Sequence, residues 1–76
     1  MNTSDRKALR TIVFSTYGKN EMSKGLADRL EKRIPAFDED PAYRSREDMI
    51  REICWMWFSG GSTAASVARE IEEAFS

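Results

Sequence analysis

Three interruptions decide what this chain can fold into: Gly18, the stretch from Pro35 to Pro41, and the pair Gly60-Gly61. They divide its 76 residues into four segments, each with apolar residues at helical spacing. In the first, Leu9, Ile12, Val13, Thr16 and Tyr17 predict a helix over about 5–17, capped by Ser4 and stopped by Gly18. A strand is the rival, because Thr11 to Tyr17 is rich in β-formers, but a lone strand would leave its backbone unpaired. In the second segment Met22, Leu26, Leu30 and Ile34 are spaced by four beside Ala27, with Asn20 or Ser23 as the start and Pro35 as the end.

Phe37 in the following link is expected to pack inward, while Asp38, Glu39 and Asp40 face water. Asp40-Pro41 can open a turn, and Ser45-Arg-Glu-Asp48 matches a capping box, so a third helix begins between 41 and 46 and runs to about Phe58. At about 100° per residue, Met49, Ile50, Ile53, Cys54 and Trp57 fall on one arc, with Met56 and Phe58 at its margins. Trp55 falls on the opposite side, among Asp48, Arg51 and Glu52. After Gly60-Gly61, Ser62 is the expected cap of a fourth helix over about 63–75, with the apolar stripe Ala64, Val67, Ala68, Ile71 and Phe75. Ala64, Ala65 and Ala68 permit close approach, and helix two is the expected neighbour.

Four short amphipathic segments with short links read as an all-α fold, a compact small helical bundle forming one domain over 1–76. A chain this short buries roughly 60–65 % of its unfolded surface. With 41 % hydrophobic residues and eight aromatics it has the means to form that core.

The absences limit chemistry. There is no histidine to serve as a base near neutral pH, and Cys54 is the single cysteine, which excludes an internal disulfide and a thiolate zinc site. No calcium-loop spacing occurs, and no cofactor or metal is expected. Cys54 sits on the apolar arc and reads as an inert core thiol; Ser59 to Ser62 reads as a turn, lacking a phosphate-loop lysine. We therefore expect no enzyme. The run Ile12-Val13-Phe14 is too short for a signal peptide and Ile53 to Phe58 too short to span a bilayer, so no membrane partner and a cytosolic, reducing setting are expected.

Charge is uneven. Residues 1–34 carry eight Lys/Arg against four acids, a net of +4, and residues 35–76 carry four arginines against nine acids, a net of −5. That pattern predicts either a dipolar surface or two faces that neutralise each other.

The preferred expectation is a non-catalytic interaction module, an inhibitor or adaptor that binds another protein or complex through Trp55, Arg51, Asp48 and Glu52, with Asp38, Glu39 and Asp40 offering carboxylates to a basic partner. The plain alternative is that Trp55 is covered by another helix or the 35–44 link and belongs to the core. Small, charge-rich chains with no recognisable site are common among phage and mobile-element products that block host machinery, including inhibitors of CRISPR effector complexes, and such anti-defence inhibition is one form the expectation takes. A second class is a DNA-binding regulator using Arg6, Lys7, Arg10, Lys24, Arg29, Lys32 and Arg33. A helix-turn-helix over 46 onward fits poorly, because Met56 or Trp57 takes the place of the small crossing residue and the recognition helix offers Arg69 against Glu70, Glu72 and Glu73. A third class is a self-associating structural subunit, a homodimer in its simplest form.

Overall fold

Side-chain caps fix where the first three α-helices begin. The computed structural model describes residues 1–39 and 41–75, so the Asp40-Pro41 turn and the placement of Asp40 lie outside the described residues. Helix α1 spans Thr3–Tyr17, and its cap is Asn2, whose side chain accepts the Asp5 N–H at 2.7 Å. Ser4 instead lies inside the first turn, because asparagine two residues earlier caps at least as well. The β-rich stretch from Thr11 to Tyr17 is helical: propensity differences of about half a kcal/mol per residue yield to the burial of Leu9 and Val13. Gly18 closes the helix at φ +82°, its N–H donating to the Phe14 carbonyl at 2.9 Å.

Helix α2 covers Glu21–Arg33, and both candidate starters act together. The Ser23 N–H donates to Asn20 Oδ1 and the Asn20 N–H donates to Ser23 Oγ, each at 2.9 Å. Ser23 is fully buried, and its hydroxyl donates to the Gly18 carbonyl, so one side chain ties the α1–α2 turn together. After Ile34 and Pro35 the link makes a short 3-10 turn over Phe37–Glu39, with Phe37 half-buried against the core.

Helix α3 spans Arg46–Trp57, capped by Ser45 Oγ, which accepts the Asp48 N–H at 3.1 Å. The Asp48 carboxylate turns to Arg51, 3.3 Å away. Helix α4 spans Gly61–Phe75, two residues earlier than its stripe predicts. Gly60 takes φ +115° and its carbonyl accepts the Ala64 N–H at 3.0 Å, which leaves Ser62 within the first turn and not at the cap.

Each helix packs on two others in the ring α1, α2, α3, α4, which closes through α4 on α1. The main neighbours of α4 are α3 and α1, not α2 as expected, because the three-residue α3–α4 link of Phe58, Ser59 and Gly60 folds α4 straight back along α3. The core comprises Leu9 and Val13 of α1, Leu26, Ala27 and Leu30 of α2 with Ile34, Met49, Ile50, Ile53 and Cys54 of α3, and Ala64, Val67, Ala68 and Ile71 of α4. No strand occurs among the described residues. The radius of gyration is 11.2 Å, against about 11 Å for a compact chain of this length.

Met22 departs from its predicted inward position and is 50 % exposed. A four-residue repeat advances about 40° per step, so the ridge from Met22 to Ile34 winds around α2. Ser23, Leu26, Ala27 and Leu30 hold the core side, and Met22 is carried out of it.

Ion pairs reinforce two of the contacts. Arg10 of α1 bonds Glu31 at 2.9 Å and Asp28 at 2.5 Å on α2, with Arg6 3.4 Å from Glu31. Arg46 of α3 grips Glu72 of α4 through two nitrogens, at 2.6 and 2.9 Å. The first set lies wholly within residues 1–34 and the second wholly within 35–76, so these pairs do not neutralise one half with the other.

Candidate protein-interaction site

Helix α3 has two faces that differ in solvent contact. Ile53 and Cys54 are buried, and Trp57 and Phe58 pack half-buried against the core, whereas Trp55 is 56 % exposed and Met56 69 % exposed. Among the described residues, the other helices and the 35–44 link leave Trp55 more than half exposed. The reason is angular: Trp55 projects about 140° away from Ile50 around the helix, on the side away from the core, where α4 contributes Gly61 at its first turn.

The surroundings of Trp55 are polar. Arg51 and Asp48 form the 3.3 Å pair one turn before it, and Glu52 is exposed beside it. Trp55, Arg51, Glu52 and Gly61 line an open hollow of about 210 Å³. A Cβ placed on Gly61 would meet no atom within 4 Å, so the backbone that opens α4 is bare beside the indole. A half-exposed aromatic with a charged rim and an adjoining hollow is suited to receive an apolar side chain from a partner.

The structure does not bring the acidic run into this site. Asp38 lines a different hollow of about 210 Å³ with Asp5, Phe37, Arg46 and Phe75. Arg46 precedes Trp55 by nine residues, about 13 Å along the helix axis. Glu39 is exposed on the same distant turn.

The seven candidate nucleic-acid-binding cations do not form one face either. Arg6 and Arg10 are taken up by Glu31 and Asp28, and the Arg10 guanidinium is held still more firmly protonated by its hydrogen bonds to Glu31 and Asp28. Lys7 borders a shallow hollow with Thr11, Ile12 and Ala74 on the opposite side of α1, and Lys24 stands 4.0 Å from Glu21. Lys32 is exposed on the outside of α2, while Arg29 and Arg33 point toward α3.

There they flank a groove that the sequence reading did not anticipate, a space of about 350 Å³ lined by Arg29, Arg33, Tyr43, Ile53, Met56 and Trp57. A signal for it was present in Gly25. Glycine inside a helix is less favourable than alanine by about 1 kcal/mol, which points to a close approach by another group. The Trp57 ring makes that approach: a Cβ on Gly25 would stand 2.7 Å from Cζ3 and 2.8 Å from Cη2.

Two buried polar groups serve packing. Burial pushes the Cys54 thiol up to about 12, so it stays protonated and a poor nucleophile. The Tyr17 ring stacks on Phe58 with centroids 4.2 Å apart, and its buried hydroxyl has no hydrogen-bond partner among the described residues. Desolvation raises that phenol to about 12. Among the described residues no three His, Cys, Asp or Glu side chains gather as metal ligands, and no helix is long and apolar enough to cross a membrane. The chain matches no protein-family model, no curated protein and no solved structure, so the functional reading is carried by its own surface.

Proposed function

We propose that this protein is a non-catalytic interaction module, an inhibitor or adaptor that docks on another protein or complex with Trp55 as its anchor. The observation that carries the reading is the 56 % exposure of a tryptophan on the helix face opposite the core. Water contact at so large an apolar group is unfavourable by about 25 cal/mol per Å², and a partner that covers it recovers that free energy. Arg51, Asp48 and Glu52 then form the polar rim that sets orientation and excludes water. The working compartment in this reading is the reducing cytoplasm, where a lone buried thiol such as Cys54 persists.

The test is an affinity pull-down from the native host's lysate, with and without nuclease, using the wild type and Trp55→Ala. The expected result is a protein recovered by the wild type under both treatments and lost with the variant. Recovery that vanishes on nuclease treatment, with Trp55→Ala indistinguishable from wild type, would replace this reading with nucleic-acid binding through the Lys/Arg residues. Light scattering over a concentration series separates self-association: a dimer abolished by Trp55→Ala would assign the indole to a contact between copies.

A further inference from the structure

We propose that the Trp55 face takes a basic segment of the partner protein, with an arginine laid across the indole and its charged head held by Glu52. This rests on the reading of Trp55 as the docking anchor and adds the chemistry of what is docked. Three observations on α3 converge on a cation. The indole is 56 % exposed, and tryptophan offers the most favourable aromatic face for a stacked cation. Glu52 lines the same open hollow three residues before Trp55, hence on the same helix face, and it is exposed with no ion pair among the described residues. Beyond Arg46, whose charge is met by Glu72, α3 carries Glu47, Asp48 and Glu52 against Arg51, a net of −2.

Two positive groups also border the hollow, and neither reverses this balance. Arg51 belongs to its lining, but its guanidinium is 3.3 Å from the Asp48 carboxylate, which compensates it and leaves Glu52 as the unanswered charge. Helix α4 opens at Gly61, and a helix N-terminus carries only about half a positive charge against the whole negative charge of Glu52. An anionic occupant, whether a nucleic-acid phosphate or an acidic peptide, would meet that carboxylate beside the ring. Arginine is matched along its whole side chain. Its methylene stem can enter the hollow of about 210 Å³ beside the bare Gly61 backbone, while its planar head lies on the indole and donates to Glu52.

The experiment is selection of random peptides displayed on phage against the immobilised protein, followed by titration of the selected peptides on wild type, Trp55→Ala, Trp55→Leu and Glu52→Gln. The expected result is enrichment of arginine, with binding about thirtyfold weaker on Trp55→Ala and about fivefold weaker on Glu52→Gln. Trp55→Leu keeps an apolar side chain without an aromatic face, so it should remain about fivefold weaker than wild type. Replacing the peptide's arginine by citrulline, which keeps the shape and removes the charge, should weaken binding to wild type and have a smaller effect on Glu52→Gln. Peptides without basic residues that still require Trp55, or equal binding of arginine and citrulline peptides, would overturn the cation and leave Trp55 as an apolar anchor. Enrichment of acidic peptides, arginine peptides bound equally well by Trp55→Ala, or no enrichment would overturn the inference as well. The anchor reading itself fails in the lysate pull-down, where Trp55→Ala would then recover the same proteins as wild type.

Discussion

The inner and outer faces of α3 lie one residue apart in sequence and obey different rules. On the inner face Ile50, Ile53 and Cys54 are closed off by α2 and α4, and even Trp57 finds a glycine against which to lie flat. On the outer face Trp55 and Met56 are left in water although they are among the largest apolar side chains in the protein. Elsewhere the molecule does cover its awkward groups: Tyr17 is stacked on Phe58, and Arg10 and Arg46 are paired across helix contacts. The contrast teaches that the fold is complete without Trp55. An apolar group that folding does not use is available for recognition.

Substitutions should therefore grade from severe to silent as they move from the closed face to the open one. Leu30→Ala, in the fully buried wall facing α3, should lower the unfolding free energy by about 3 kcal/mol in urea titration. An effect below about 1 kcal/mol would mean the closed face is loosely packed and the contrast false. The alkaline limb comes next. The Cys54 thiol rises from its ordinary 9.0 to about 12 on folding, so between those values the unfolded chain has released a proton that the folded chain retains. Stability must then fall as pH rises above 9.0, by up to about 1.4 kcal/mol per pH unit from this thiol, and Cys54→Ala should flatten the limb between 9.0 and 10.0, above which the raised Tyr17 phenol adds its own loss.

Gly25→Ala sharpens the comparison at the boundary between the faces. Displacing the Trp57 ring is worth about 1–3 kcal/mol of overpacking, and alanine returns about 1 kcal/mol of helix propensity, so a net loss of about 1 kcal/mol is expected. Trp57 should move into water, with a red-shifted tryptophan emission. Tyr17→Phe should be neutral or stabilising by up to about 1 kcal/mol, since it removes a buried hydroxyl that has no partner among the described residues. Thermal denaturation of the variant checks the sign.

Most of the architecture was legible because it depends on local signals. The breaks at Gly18, Pro35 and Gly60 bound the helices, and the third helix's arc separated Ile53 and Cys54 from Trp55 by angle alone. The cap residues were less legible: Asn2 competes with Ser4, and Gly60 with Ser62, by differences smaller than the sequence resolves. Met22 was misplaced because a spacing of four is not the helix period and the error grows with each turn. For the candidate site, the sequence placed Arg51, Asp48 and Glu52 around Trp55 because all four share one helix face. It could not show that Asp38 and Glu39 lie far along α3, or that Arg6 and Arg10 are occupied by Glu31 and Asp28, since both depend on which helices are neighbours in space. The α2–α3 groove is likewise a tertiary feature, announced in the sequence only by Gly25.

The smallest expected effect bears most directly on the central claim. Urea denaturation of Trp55→Ala should give an unfolding free energy within about 0.5 kcal/mol of wild type, as for a side chain that folding does not use. A loss of about 3 kcal/mol, the size of a buried aromatic truncated to alanine, would show that Trp55 belongs to the core and would contradict its assignment as a binding anchor.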